Sequence, residues 1–191
     1  MSSLPSKEFS IEDRRAMLTL ARSAILIRLE KKSPYPMPID CTTGGPPCFS
    51  LRRGVFVTLE VHRSLRGCIG VVEARDPLCE SIVHCAQGAA FRDPRFSPLR
   101  AEEVPGLQIE ISVLSNVFPI APGEIEIGKH GLVISTEGNR GLLLPQVATE
   151  NRLSRESFLA ETCHKAGLPR DAWRDPATRI EGFTCEVFHE D

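Results

Sequence analysis

The sequence lacks the features of several large protein classes. No apolar run approaches the ~20 residues that a membrane-spanning helix needs, and residues 1–12 contain no apolar core of a signal peptide. No block of Lys and Arg stands out and the formal net charge is −2, so the basic surface of a dedicated nucleic-acid binder is missing. These absences predict a cytoplasmic protein that binds neither nucleic acid nor membranes.

Short motifs for cofactors and metals are absent as well. The chain has no G-x-G-x-x-G, no G-x4-G-K-[ST] and no G-x-S-x-G, which argues against a Rossmann cofactor, a P-loop nucleotide and a common serine hydrolase. Its Cys and His residues do not stand at the short C-x2-C or H-x3-H spacing of a zinc site. We therefore identify no cofactor and predict no metal site.

The cysteine content favours reduced thiols. Seven cysteines are an odd number in a chain of 191 residues, which fits poorly with a secreted disulfide framework. One thiol left unpaired in this way can be reactive, so the environment of each cysteine matters.

Hydrophobic spacing predicts an α+β fold with a mainly antiparallel sheet flanked by helices. Apolar residues recur at three- and four-residue spacing from 11 to 29, which is typical of an amphipathic helix, and Ser10 is its expected cap. Alternating runs at 55–62 and 65–73 are joined by a short polar link and predict a hairpin. Further helices are predicted at 77–92 and 151–166, and further strands at 107–114, 131–135, 141–144 and 179–188.

Two segments rich in Pro and Gly interrupt this pattern. Residues 33–47 are predicted to form a long, stiff surface loop, and loops of that length are often functional. Residues of about 116–150 combine Pro, Gly and short strands and predict a smaller lobe. The lobe is expected to lie within a single domain that covers 8–189.

The stretch from Leu65 to Gly70, with the sequence LRGCIG, is the strongest functional signal. Alternation along a strand places Arg66, Cys68 and Gly70 on one face, while Gly67 points to the other. Arg66 is expected to favour the thiolate of Cys68, which makes Cys68 a candidate nucleophile or ligand contact. Gly70 is expected to leave room beside the sulfur, and Gly67 to let another element pack closely. The alternative is that Cys68 is a small buried apolar residue and Arg66 an ion-paired scaffold residue.

Residues 93–98, with the sequence DPRFSP, follow the second predicted helix and are stiffened by two prolines. Arg95 would be held in place there as an anion-binding residue, or would form only a local pair with Asp93. Glu110 lies on the polar face of its strand and becomes a candidate general base for Cys68 if the two strands are adjacent. Otherwise this face is solvated.

Two weaker candidates lie in the predicted smaller lobe. His130 precedes a glycine and is a candidate partner for Cys68 in a Cys-His nucleophile pair. Gln146 follows a Leu-Pro pair and is a candidate ligand contact.

The hexapeptide resembles the signature of the AMMECR-one domain family, whose bacterial and archaeal members are called AmmeMemoRadiSam system protein A. The resemblance runs from the first helix to the last strand. Further segments resemble the family pattern in the same order: FVTL at 56–59, DPRFSPL at 93–99, IEISVL at 109–114, HGL at 130–132, LLPQV at 143–147 and KAGL at 165–168.

The resemblance implies two unequal lobes with a cleft between them and the signature near that cleft. It also implies that the protein acts in a set with a radical S-adenosylmethionine enzyme and a Memo-like protein. One hypothesis is a cleft protein that binds a small anionic or peptide ligand, with or without thiolate chemistry at Cys68. Its binding residues would be Arg66, Gly67, Gly70, Arg95 and Gln146. The alternative is a non-catalytic adaptor whose motif face docks a partner protein, so whether the protein is an enzyme stays open.

Overall fold

The computed structural model describes residues 8–31, 45–73 and 75–190, and its elements confirm an α+β chain. The predicted loop at 33–47 lies outside the described residues as far as residue 44. No helix in the described part is long and apolar enough to span a membrane. The helices are α1 (Ile11–Lys31), α2 (Leu78–Phe91), α3 (Pro145–Glu150) and α4 (Arg155–Lys165). The strands are β1 (Val55–Val61), β2 (Ser64–Val71), β3 (Leu107–Leu114), β4 (Phe118–Pro119), β5 (Gly131–Ser135), β6 (Arg140–Leu143), β7 (Arg179–Phe183) and β8 (Cys185–His189).

The chain forms two compact units, each with one four-stranded sheet. Residues up to 113 together with 186–191 make the first unit, and residues 114–185 make the second. The first sheet has the strand order β2-β1-β3-β8, and the second has the order β4-β7-β5-β6. The lobe predicted at 116–150 lies within the second unit. The single domain over 8–189 and the cleft stay predictions.

The first unit buries one face of its sheet under α1 and α2. Apolar residues of both helices share one core with alternate residues of β1 and β3. Ser10 begins α1 as predicted, because its hydroxyl accepts a hydrogen bond of 3.0 Å from the Asp13 amide, and its own amide donates one of 3.1 Å to the Asp13 carboxylate. Ile11 departs from the predicted buried face and is 69% exposed.

The predicted hairpin is confirmed, and it contains a bulge that sequence spacing did not reveal. β1 and β2 pair antiparallel, with Leu59 opposite Gly67 and Glu60 opposite Leu65, so Arg66 is the extra residue. β2 is the first strand in its sheet. Its outer backbone groups therefore need partners from outside the sheet.

Two predicted boundaries were wrong, and two short elements were missed. The strand predicted at 179–188 divides near Thr184 into β7 and β8, which belong to different sheets. The helix predicted from 151 begins at Arg155, because the Ser154 hydroxyl accepts a hydrogen bond of 3.2 Å from the Ser157 amide and caps it there. The short elements α3 and β4 were not predicted.

Candidate functional site

Cys68 is held at the outer edge of β2 by the segment that follows α2. Its amide donates a hydrogen bond of 2.9 Å to Asp93 Oδ2. Its carbonyl oxygen accepts one of 3.3 Å from Arg95 Nη2. The two side chains thus pair with the free edge of the strand at this one residue, where a neighbouring strand would otherwise bind. The segment after α2 therefore fixes both the amide and the carbonyl group of the residue that carries the thiol.

Asp93 organises this clamp. Asp93 is only 4% exposed. Its carboxylate accepts the hydrogen bond from the Cys68 amide and three more from Arg95, whose N, Nε and Nη2 atoms lie at 3.1, 3.0 and 2.7 Å. The side-chain bonds from Arg95 hold the pKa of Asp93 well below its usual range, and the backbone bonds from Cys68 and Arg95 add to this. The prolines at 94 and 98 stiffen the loop that carries both residues.

Thr58 is a neighbour of the thiol that sequence reasoning missed. It lies opposite Cys68 in the β1–β2 pairing, and its Oγ1 atom is 3.1 Å from Cys68 Sγ. The alternation of apolar and polar residues along β1 showed only which face of the strand carries Thr58. The register that brings the two side chains together depends on the bulge at Arg66, which no local pattern predicted.

The cation bonded to the backbone of Cys68 is Arg95, and the expectation that Arg66 favours the thiolate stays a prediction. Arg66 Nε and Nη2 donate to the two carboxylate oxygens of Glu103 at 2.7 and 3.2 Å, so its fork is already occupied. The Arg95 side chain is 54% exposed, and its Nη2 atom donates to the Cys68 carbonyl oxygen. The Phe96 ring links the two arginines, with guanidinium carbons 5.9 Å (Arg66) and 5.5 Å (Arg95) from its centroid.

The glycines of the motif serve packing, so the open space expected beside the sulfur is not there. A Cβ atom at Gly67 would lie 2.1 Å from the Ala89 carbonyl oxygen of α2. A Cβ atom at Gly70 would lie 2.2 Å from the Phe56 ring, which fills the room predicted there. Gly67 therefore brings α2 against β2, and Gly70 accommodates an aromatic side chain on the face that carries Cys68.

Glu110 does not lie beside Cys68, which corrects the prediction of a general base at the thiol. Thr58 of β1 pairs with Cys68 on one side and with Glu110 of β3 on the other. Two strand spacings of about 4.8 Å therefore separate the backbones of Cys68 and Glu110. Burial raises the pKa of Glu110, with a smaller contribution from Glu60.

His130 and Gln146 belong to the second unit, so their predicted roles toward Cys68 stay predictions. His130 Nδ1 accepts a 3.1 Å hydrogen bond from the Glu126 amide, and its ring meets the Phe118 ring edge-on at 5.9 Å. Burial lowers the pKa of His130. Gln146 lies in α3 and its Oε1 atom is buried without a hydrogen-bond partner in the described part of the chain.

Cys68 differs from the buried thiols of the chain. Four of the six cysteines within the described ranges are buried. Burial raises the pKa of Cys48 and of Cys85 to about 12, which suppresses their thiolates. Cys68 and Cys185 are half-buried. Across these ranges, no three His, Cys, Asp or Glu side chains converge in a way that could hold a metal ion.

Comparison with protein families gives a match over most of the chain. The family model described as AMMECR1 matches residues 18–188. A protein of Methanothermobacter thermautotrophicus is 42% identical over 189 residues, which cover 95% of this chain and 96% of that protein. Protein PF1979 of Pyrococcus furiosus is 40% identical over 92% of this chain and 87% of its own length.

A solved structure resembles the fold as well. The crystal structure of the uncharacterized protein PH0010 from Pyrococcus horikoshii aligns with a TM-score of 0.78 at 39% sequence identity. The alignment covers 92% of this chain and 90% of that one.

Proposed function

The chain belongs to the AMMECR1 family, and on that premise we propose that it binds a small anionic or peptide ligand at the edge of β2 around Cys68. The observation that carries the proposal is the clamp of Asp93 and Arg95 on the backbone of Cys68. A site that contacts a ligand needs groups held in place before the ligand arrives, and the clamp supplies this. Arg95 attracts the anionic group, and the sulfur of Cys68 contacts the ligand.

Two further observations support this assignment over a purely structural role for the cysteine. The Arg95 guanidinium is positioned by a buried carboxylate, yet more than half of its side chain faces solvent. The thiol is half-buried and hydrogen-bonded to Thr58. A cysteine that only filled a core position would be buried as Cys79 and Cys85 are.

Whether Arg95 attracts anions to Cys68 can be tested by alkylating the thiol with an anionic and a neutral reagent. Iodoacetate should react faster, relative to iodoacetamide, in the wild type than in Arg95→Gln, with the ratio of rates falling at least threefold in the variant. The ratio cancels changes in accessibility and in thiol ionisation, which affect both reagents alike. Mass spectrometry of proteolytic peptides assigns the modification to Cys68.

Two variants control this measurement. Arg95→Lys keeps a cation and should keep the reagent preference, while Arg52→Gln removes an exposed arginine elsewhere and should leave the ratio unchanged. Added salt should lower the wild-type ratio, since exposed charges are screened. An equal ratio in wild type and Arg95→Gln would show that Arg95 does not recruit anions to the thiol.

A second candidate function is the adaptor, in which the motif docks a partner protein. Leu65, at the start of the motif, is an exposed large apolar side chain at 45%. The space beside Gly67 and Gly70 is filled by α2 and by the Phe56 ring, and Arg66 is bonded to Glu103. An exposed leucine offers apolar surface that a partner protein can bury. The partners implied by the family resemblance are a radical S-adenosylmethionine enzyme and a Memo-like protein.

Two substitutions separate the functions when purified radical enzyme and Memo-like protein from the same source are titrated with this protein. For the adaptor, Leu65→Glu should weaken binding at least tenfold, and Cys68→Ser should bind and complement a deletion strain like the wild type. For thiol chemistry at the site, Cys68→Ser should fail to complement although it folds. Full complementation by Cys68→Ser would show that the protein does not use the sulfur for chemistry.

A further inference from the structure

A groove unrelated to the Cys68 site runs between α1 and β8 in the first unit. It has a volume of about 590 Å³. Its α1 wall is a single helical face that begins at Ile11 and ends at Leu26. At 1.5 Å per residue this wall is about 22 Å long, which matches six or seven residues of extended chain. Its other wall is formed by residues 187–190.

β8 is the last strand of its sheet, and no strand pairs with its outer side in the described part of the chain. The Glu190 amide donates to the Ile109 carbonyl at 3.1 Å, and the Thr184 carbonyl accepts from the Ser115 amide at 2.9 Å. Backbone groups alternate in direction along a strand, so even-numbered residues of β8 face β3. The amides and carbonyls of Val187 and His189 therefore point to the free edge. No backbone bond to either residue is made from outside the sheet by the described part of the chain.

The charge along the groove is positive. Arg14 and Arg22 are bound to Glu186 and Glu190 at 2.6 and 2.5 Å, which ties α1 to β8. Arg15 also lines the groove and is exposed, and it has no ion-pair partner among the residues described. Within the described ranges, Arg15 thus adds a positive charge to the groove that no ion pair compensates.

Apolar side chains are exposed at the same place. Ile11 is 69% exposed at one end of the helical wall, and Val187 is 40% exposed on the strand. Edge strands are usually protected from pairing by proline, charge or a covering element. Within the described ranges this edge leaves backbone groups free and apolar side chains exposed, and the cation of the groove, Arg15, lies on α1 rather than on the strand.

We propose that this groove binds an extended acidic peptide segment of a partner protein, which adds as a strand to the free edge of β8. The peptide backbone pairs with Val187 and His189, and a carboxylate of the peptide binds Arg15. A second copy of this chain is a poorer occupant, because it would bring its own arginine-lined face against this one. The proposal is independent of the Cys68 site.

The test uses an eight-residue, fluorescein-labelled peptide that alternates glutamate and valine, with binding to the full chain followed by anisotropy at low salt. Arg15→Glu should weaken binding at least tenfold, while Arg179→Glu, at an exposed arginine of the second unit, should leave it unchanged. The same peptide with lysine in place of glutamate should bind at least tenfold more weakly. Equal affinity for the two peptides, or no binding of either, would overturn the proposal.

Val187 tests the strand pairing itself. Val187→Pro removes an outward amide and no bond to β3, so the folded protein should lose at least tenfold in affinity, whereas Val187→Thr should bind within twofold of the wild type. Unchanged binding in Val187→Pro would contradict β8 pairing. Concentration-dependent dimers that Val187→Pro abolishes would assign the edge to a second copy. Binding that appears only after residues 1–7 are deleted would assign it to the chain's own N-terminal segment. Either result would overturn the peptide proposal.

Discussion

Gly67→Ala is expected to destabilise the first unit by about 3 kcal/mol, the size of a severe overpacking substitution. A Cβ atom at this position would lie 2.1 Å from the carbonyl oxygen of Ala89 and 2.9 Å from its carbonyl carbon. Both atoms belong to the backbone of α2, so relief requires α2 to move away from β2. Because Cys68 lies on β2 and the segment with Asp93 and Arg95 follows α2 directly, the shift should also disturb the candidate site. Urea unfolding followed by circular dichroism measures the loss.

A series of glycine substitutions in the same unit separates backbone overlap from the general effect of adding a methyl group. At Gly70 the obstructing atoms belong to the Phe56 side chain, which can rotate, so alanine should cost less than at Gly67. At Gly106 the nearest atom is 3.1 Å away in the exposed ring of His62, so alanine should change stability by no more than about 0.5 kcal/mol. A Gly67→Ala variant as stable as Gly106→Ala would contradict the tight packing of α2 on β2.

Asp93→Asn is expected to lower stability at neutral pH by about 2 kcal/mol. The substitution keeps the shape of the side chain but removes the charge that accepts bonds from Cys68 and Arg95. It also places an amide donor where only donors face it. The loss should stay below that of a fully buried ion pair, because Arg95 is 54% exposed and can be hydrated by solvent. Hydrogen exchange gives a local readout, since the Cys68 amide should exchange faster in the variant.

The effect of Asp93 should depend on pH in a defined direction. Its pKa is lowered in the folded state, so its stabilising contribution is fully present above the unfolded pKa of about 3.9. The contribution is lost as the pH falls from there toward the folded pKa. The difference in unfolding free energy between wild type and Asp93→Asn should therefore be constant from pH 7 to 5 and shrink below about pH 4.

Asp76→Asn is the matched control for this measurement, since it removes an exposed carboxylate of the same unit. It should leave the unfolding free energy and the exchange of the Cys68 amide unchanged. If Asp93→Asn behaves like Asp76→Asn, the clamp does not stabilise the edge of β2, and the observation that supports the proposed function is lost.

Predictions from the sequence agree with the structure where the interactions join residues close together in the chain. The hairpin, α1 with its Ser10 cap, and the end of α4 before Gly167, whose φ is +73°, follow from residues close in sequence, and all were predicted. The division of the last strand at Thr184 was missed, because one apolar pattern serves two sheets there. Ile11 fitted the helical period of the buried face, yet it is exposed at the mouth of the groove.

Two features of the LRGCIG stretch were predicted from the sequence: a thiol on a strand and a glycine that lets another element pack closely. The sequence also predicted an arginine, Arg95, in the stiff segment after α2. Which arginine bonds to the backbone of Cys68 was not predicted, because it depends on Glu103 binding Arg66 and on Asp93 binding Arg95. The strand order was not predicted either: β1 lies between β2 and β3, so Thr58 separates Cys68 from Glu110. Alternation and capping act between near neighbours in the chain, whereas register, strand order and ion-pair choice depend on the energies of distant segments brought together. The tertiary structure alone decides those.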